Sequence, residues 1–158
     1  IGAKTAALFA AACEIGPVIA GAGKAAQETM RLYGYNLGMA FQIADDILDY
    51  NADRAKLGKT VGDDFREGKM TAPIIIALQS ANDEEKQFWR KTIEQKSQTP
   101  DDLPRAMEIF RRTKALERGM ELAHGYAAKA QAALPVKKGD ALCYALHDLA
   151  DYAVGRDH

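Results

Sequence analysis

Residues 38–50 of this chain read GMAFQIADDILDY, and this stretch decides the fold that we expect. Asp45 and Asp49 are four residues apart, so on a helix they share one face, with Asp46 beside them. Hard oxygen ligands on one face suit a Mg²⁺ ion that also binds a phosphate. The alternative is a solvated acidic patch. The neighbouring residues are apolar, which predicts that this part of the helix is packed: Phe41, Ile43, Ala44, Ile47 and Leu48.

The segment that follows offers the matching positive charge. Residues 58–64 read GKTVGDD and residues 68–73 read GKMTAP. Glycines let the backbone approach a ligand closely, and Lys59 and Lys69 can contact phosphate oxygens. Thr71 is placed to cap the next helix, whose N-terminus favours anions. The alternative is a charged surface loop with glycine turns, since the segment does not match the phosphate-binding pattern GxxxxGK followed by Ser or Thr.

Helices are expected along almost the whole chain, because Ala, Leu, Glu, Lys, Gln and Met are abundant and β-branched runs are short. Pro17 is expected to kink or end the first helix, and Pro73 to lie in the first turn of its own. Asn82 or Asp83 is expected to be an N-cap. No repeat or domain boundary is evident, so we expect one all-α bundle domain over residues 1–158. The predicted helices span residues 4–19, 25–50, 73–79, 83–94, 101–112, 115–134 and 139–154.

Lys4 and Thr5 stand at the start of the first predicted helix. A lysine at this position opposes the helix macrodipole, which invites an anion to the same place. The alternative is that this end of the chain frays. The chain begins with Ile1 and opens directly on a helical pattern, so we expect it to be part of a longer protein.

Composition narrows the class of protein. The formal net charge of the 158-residue chain is -1, which gives no support for nucleic-acid binding. Its cysteines lack metal-ligand spacing, and no apolar run reaches the roughly 20 residues that cross a bilayer. There is no credible leader sequence either. The expected protein therefore has no transmembrane segment and is cytoplasmic.

Magnesium, carboxylates and lysines around a diphosphate have a coherent chemical use. Together they neutralise a departing diphosphate and let an allylic carbon–oxygen bond ionise. The carbocation that remains needs a dry apolar cavity that excludes water. Apolar helix faces around Phe41 can line such a cavity.

The stretch 38–50, the two loop segments after it and the Lys4-Thr5 pair together resemble the trans-polyprenyl diphosphate synthases. Their order and spacing match over most of residues 1–80, and residues 62–69 are most similar to bacterial octaprenyl to decaprenyl synthases, which serve quinone side chains. The resemblance implies the all-α isoprenoid synthase fold, with this chain as the carboxyl-terminal half of that domain. It also implies Mg²⁺-dependent head-to-tail condensation of isopentenyl diphosphate with an allylic diphosphate, and a homodimer of the intact enzyme.

The same resemblance implies roles for individual residues. Asp45, Asp46 and Asp49 take part in Mg²⁺ binding, with Asp45 as the first candidate for a direct ligand. Gln42 and Thr5 stabilise the cationic, allylic part of the site. The residues implied to bind substrate are Lys4, Phe41, Gln42, Lys59 and Lys69, with Arg156 as a further candidate for isopentenyl diphosphate. Those implied to act in catalysis are Lys4, Thr5, Gln42 and Lys59.

The chain departs from the family pattern in one large respect. The family has a first Asp-rich motif on an earlier helix, and no second DDxxD precedes Asp45 here. We therefore expect half of a site, and no turnover by the chain alone. Two alternatives stay open: a non-catalytic helical subunit that binds a catalytic partner, and a terpene cyclase on the same fold. The intact aspartates and lysines argue against the first, and the loop over residues 58–73 argues against the second.

Overall fold

The computed structural model describes residues 2–51, 60–134 and 139–155, and all regular structure in these ranges is helical. This confirms the all-α prediction. A π-helical turn (Gly2–Ala6) leads into α1 (Ala7–Ile19), and a second one (Arg90–Glu94) extends α5. The helices are α1, α2 (Lys24–Leu48), α3 (Asp63–Arg66), α4 (Ala72–Leu78), α5 (Asp83–Trp89), α6 (Asp102–Thr113), α7 (Ala115–Ala133) and α8 (Ala141–Val154).

The described residues form two compact units, one from residues 2–44 and 121–155 and one from residues 45–120. The divisions fall inside α2 and α7. Both are continuous helices, so the sequence contains no linker signal at these points.

In the first unit, α1 packs closely against α2 because α2 presents two glycines. A Cβ atom added at Gly34 would lie 2.9 Å from the Cys13 Sγ atom, and one added at Gly38 would lie 2.8 Å from the Ala6 Cα atom. Further along the unit, the fully buried Tyr33 donates a 2.8 Å hydrogen bond to the Leu146 carbonyl of α8. Small residues on α2 therefore set how closely the first helix approaches.

An aromatic cluster forms the core of the second unit. The Tyr50 and Phe110 rings meet edge to face at 4.8 Å, and the Trp89 ring stacks on Phe110 at 5.5 Å. Phe65, from the short α3, packs edge-on against Trp89 at 6.4 Å. This cluster fixes the end of α2 against α5 and α6, and thereby supports the segment after the acidic turn.

Most helix signals in the sequence are confirmed. Asn82 is the N-cap of α5 and forms a reciprocal capping box with Glu85, while Pro73 lies in the first turn of α4. No helix was predicted between residues 50 and 73, but the structure has α3 there, which at four residues is too short to show a helical period. Residues 52–59 lie outside the described residues. Pro17 does not end α1, which continues to Ile19.

Candidate active site

The acidic turn at the end of α2 is packed as predicted. Ile43 and Ala44 are almost fully buried, as are Ile47 and Leu48. Asp46 and Asp49 point into this packed surface and are only 4% and 7% exposed. Asp45 stays partly exposed. Three aspartates that share one turn therefore have different surroundings.

The two buried carboxylates bind backbone N–H groups of the helices that follow. Asp46 Oδ2 accepts a 2.9 Å hydrogen bond from the Ala72 N–H, at the start of α4. Asp49 Oδ2 accepts one of 3.0 Å from the Asp64 N–H, at the start of α3. Hydrogen bonds to a charged acceptor are worth about 1.5–3 kcal/mol each. The acidic turn thus holds the next segment in place.

Thr71 occupies the N-cap position of α4, but its hydroxyl makes no hydrogen bond to a helix N–H. The prediction that this side chain caps the helix is wrong. A cap accepts from the second or third helical N–H, and the second residue here is Pro73, which has no N–H. The first helical N–H, that of Ala72, donates to Asp46 Oδ2. The anion expected at this N-terminus is therefore present, and it comes from the protein itself.

Lys69 is exposed and lies between two carboxylates. Its Nζ atom is 2.7 Å from Glu67 Oε2 and 2.9 Å from Asp64 Oδ1. Hydrogen bonds to Glu67 and to Asp64 raise the pKa of Lys69, so the lysine is charged throughout the physiological pH range. The sequence did not single out Asp64 as a partner of Lys69, because a spacing of five residues matches no helical ion-pair spacing. Lys59 lies outside the described residues, as does Arg156.

The amino-terminal site residues come together in the first unit. The Thr5 hydroxyl donates a 2.8 Å hydrogen bond to Gln42 Oε1, although the two residues are 37 positions apart. Lys4, the residue before Thr5, is exposed. The close approach of α1 at Gly38, one turn before Gln42, makes this bond possible.

An apolar cavity lies beside Phe41. Its volume is about 240 Å³, and the Phe41 ring lies 5.5 Å from that of Phe9 across α1 and α2. A cavity with these walls suits a hydrocarbon group and disfavours water. Its lining consists of Phe9, Leu37, Phe41, Leu149, Tyr152 and Ala153.

The donor set fits a magnesium ion that is shared with a phosphate ligand. Among the described residues, no group of three or more His, Cys, Asp or Glu side chains is arranged to hold a metal ion alone. Magnesium in such sites is bound by one or two carboxylates, with waters and phosphate oxygens as the other ligands. The partly exposed Asp45 meets that requirement.

None of the described helices is long and apolar enough to span a membrane.

An all-helical fold with an acidic turn is the arrangement expected of an isoprenoid synthase. Comparison with known proteins gives the family. Residues 1–110 match the family model for polyprenyl synthetase, so this chain belongs to the polyprenyl synthetase family. This confirms the resemblance drawn from the sequence. The chain spans about half the length of the curated relatives that it matches.

Two relatives illustrate the range of products in the family. The chain is 41% identical to an octaprenyl diphosphate synthase of Escherichia coli over 154 residues, which covers 98% of this chain and 47% of that protein. It is 39% identical to a geranylgeranyl diphosphate synthase of Sulfolobus acidocaldarius over 158 residues, which covers 99% of this chain and 48% of that protein.

Solved structures show the same fold. A polyprenyl synthase from Caulobacter crescentus, complexed with calcium and isoprenyl diphosphate, is 47% identical with a TM-score of 0.87, covering 100% of this chain and 48% of that one. A decaprenyl diphosphate synthase from Rhodobacter capsulatus is 41% identical with a TM-score of 0.83, covering 98% of this chain and 47% of that one. The isoprenoid synthase fold predicted from the sequence is confirmed.

Proposed function

We propose that this chain is the carboxyl-terminal half of a prenyl diphosphate synthase domain and supplies its second Asp-rich half-site. In the complete site it takes part in Mg²⁺-dependent head-to-tail condensation of isopentenyl diphosphate with an allylic diphosphate. The observation that supports this most directly is the acidic turn, where Asp45 stays accessible while Asp46 and Asp49 hold a segment bearing Lys69. The product that we propose is a long-chain polyprenyl diphosphate, in line with the octaprenyl and decaprenyl synthases among its relatives.

In the proposed site, the acidic turn would bind the diphosphate through a magnesium ion, and the lysines would contact it directly. When magnesium is bound, it neutralises the diphosphate and acts as a Lewis acid on its oxygens, which favours cleavage of the allylic carbon–oxygen bond. Asp45 is the proposed direct ligand, and Asp46 and Asp49 contribute through the turn. Lys4, Lys59 and Lys69 are the residues that we propose to supply positive charge to the leaving group.

The first unit stabilises the allylic part. The hydrogen bond from Thr5 fixes the orientation of the Gln42 amide group. The negative end of the amide dipole, its oxygen, is suited to stabilise a developing carbocation. Phe41 and the apolar cavity next to it exclude water, so that the cation reacts with isopentenyl diphosphate and not with solvent. The chain lacks a second DDxxD, so these residues form only part of a catalytic site.

An assay of prenyl transfer in trans tests this function. The chain is incubated with Mg²⁺, an allylic diphosphate and radiolabelled isopentenyl diphosphate, with and without an amino-terminal half from a polyprenyl synthetase relative. We expect no product from the chain alone and polyprenyl diphosphate from the mixture. Asp45→Ala should abolish that product, whereas Asp151→Ala, at an exposed position on α8, should preserve it.

Two outcomes would contradict the proposal. Robust turnover by the isolated chain would show that the chain already contains a complete catalytic site. Formation of a stable mixed complex without product, at every substrate combination, would favour the non-catalytic partner subunit.

A further inference from the structure

Both ends of the segment 62–72 are attached to the acidic turn where α2 ends, at Asp46 inside the helix and at Asp49 just after it. At the first end, Asp49 makes two bonds: its carbonyl accepts the Gly62 N–H at 2.8 Å, and its Oδ2 accepts the Asp64 N–H at 3.0 Å. At the other end, Asp46 Oδ2 accepts the Ala72 N–H at 2.9 Å. Two carboxylates three residues apart thus connect the two ends of an eleven-residue segment (62 to 72) to the same helix.

The conformation of the segment at its first end requires glycine. Gly62 has φ 79°, in the left-handed region that favours glycine. A Cβ atom there would also lie 2.6 Å from Leu103 Cδ1. The chain therefore turns tightly at Gly62, which brings the Asp64 N–H to the Asp49 carboxylate.

Within the segment, Lys69 contacts Asp64 through both its backbone and its side chain. The Lys69 N–H donates to the Asp64 carbonyl at 2.9 Å, and Lys69 Nζ lies 2.9 Å from Asp64 Oδ1. The charged groups of this segment are therefore fixed relative to each other. Through Asp49 they are also fixed relative to the acidic turn.

The two helices that begin in this segment are too short to be stable alone. α3 has four residues and α4 has seven, whereas isolated helices below roughly 12 residues are marginal in water. A carboxylate at a helix N-terminus compensates the free N–H groups and the macrodipole. Asp46 and Asp49 supply that charge from a different element, and their burial keeps water from competing for the bonds.

We infer that Asp46 and Asp49 are positioning residues, which fasten the segment 62–72, and with it Asp64 and Lys69, to the acidic turn at the end of α2. The aspartates of the acidic turn then have two different roles. Asp46 and Asp49 bind backbone N–H groups, and Asp45 is accessible to a ligand. The fastening follows from the hydrogen bonds and the burial, while the placement of a ligand at Asp45 rests on the proposed function.

Amide hydrogen exchange of the metal-free chain, measured by NMR, tests the fastening without any ligand. Asp46→Ala should speed exchange of the Ala72 amide by at least roughly tenfold, as expected for the loss of a charge-assisted bond. Asp49→Ala should do the same at the Asp64 amide. Asp45→Ala is the matched control on the same turn and should leave both amides unchanged. Equal protection of the Ala72 amide in Asp46→Ala and wild type would overturn the inference.

Asparagine variants separate positioning from metal binding and guard against a failure of the alanine variants to fold. Asn caps helices about as well as Asp, but its amide is neutral. We expect Asp46→Asn and Asp49→Asn to retain affinity for Mg²⁺ with inorganic pyrophosphate within roughly threefold, and Asp45→Asn to lose at least roughly tenfold, because Mg²⁺ prefers carboxylates. Equal losses in all three variants would overturn the inference. Full affinity in Asp45→Asn, with the exchange pattern intact, would overturn the proposed function and leave the fastening in place.

Discussion

At the scale of single residues, the surroundings of a side chain decide its role more than its place in a motif. Asp45, Asp46 and Asp49 are equivalent in the DDxxD string, yet two of them are buried against backbone N–H groups. The sequence predicts that Asp45 and Asp49 share one face of a helix, with Asp46 beside them. It does not predict which of them points inward, because that depends on where the segment after the helix returns.

Arg111 and Arg112 are also neighbouring residues of one type that have different surroundings. The sequence favours an ordinary solvated pair, and both side chains are indeed exposed, but Arg112 also binds a buried carboxylate. Its Nε atom donates a 2.8 Å hydrogen bond to Oε1 of Glu85, and its second nitrogen contacts Oε2 of the same carboxylate. Glu85 is 3% exposed, so this pair is structural.

We predict that Arg112→Ala lowers the free energy of unfolding by about 1–3 kcal/mol, because the buried Glu85 carboxylate loses its main partner. Arg111→Ala is the matched control and should change the free energy of unfolding by less than about 0.5 kcal/mol, as exposed substitutions usually do. Urea denaturation of the two variants measures the difference. Equal stability of the variants would contradict the structural role of Arg112.

At the scale of elements, most of the helical structure could be predicted from the sequence. The N-cap at Asn82 and the position of Pro73 were readable because capping and proline geometry are local. The short α3 was missed because four residues contain no helical period. The hydrogen bond between Thr5 and Gln42 has no local signal either, since it depends on how closely α1 approaches α2.

The close approach of α1 gives a prediction about glycines in helices. Gly38→Ala should destabilise the chain by about 1–3 kcal/mol, because the new Cβ atom meets the backbone of Ala6. It should also move Thr5 away from Gln42. Gly125→Ala is the matched control: it lies in α7 with nothing within 4 Å, and should stabilise the chain by about 0.5–1 kcal/mol. Thermal unfolding of both variants measures the effect, and a stabilised Gly38→Ala would contradict the packing.

At the scale of the whole molecule, the chain covers 47% of the octaprenyl diphosphate synthase of Escherichia coli and exposes apolar side chains in its first unit. Leu8, Ile15 and Ile19 of α1 are between 57% and 79% exposed. Large exposed apolar surfaces generally mark interaction sites. The structure therefore shows that α1 contributes to an exposed apolar surface of the first unit.

We therefore predict that the isolated chain self-associates in a concentration-dependent way through α1. Ile15→Lys should shift the distribution towards monomer, because a charge cannot be buried in an apolar contact at low cost. Ile75→Lys is the control, since Ile75 is 47% exposed on α4 in the second unit. Sedimentation velocity over a range of concentrations measures the association. A monomeric wild type at high concentration would argue against it.

We propose that this chain contains a functional second half-site for Mg²⁺ and an allylic diphosphate. Calorimetric titration with an inert allylic diphosphate analogue tests it most directly, with and without Mg²⁺, on the chain alone and with an amino-terminal half from a relative. We predict Mg²⁺-dependent binding that is lost in Asp45→Ala and kept in Asp151→Ala. Binding that is absent under both conditions, or that is unaffected by Asp45→Ala, would contradict the claim.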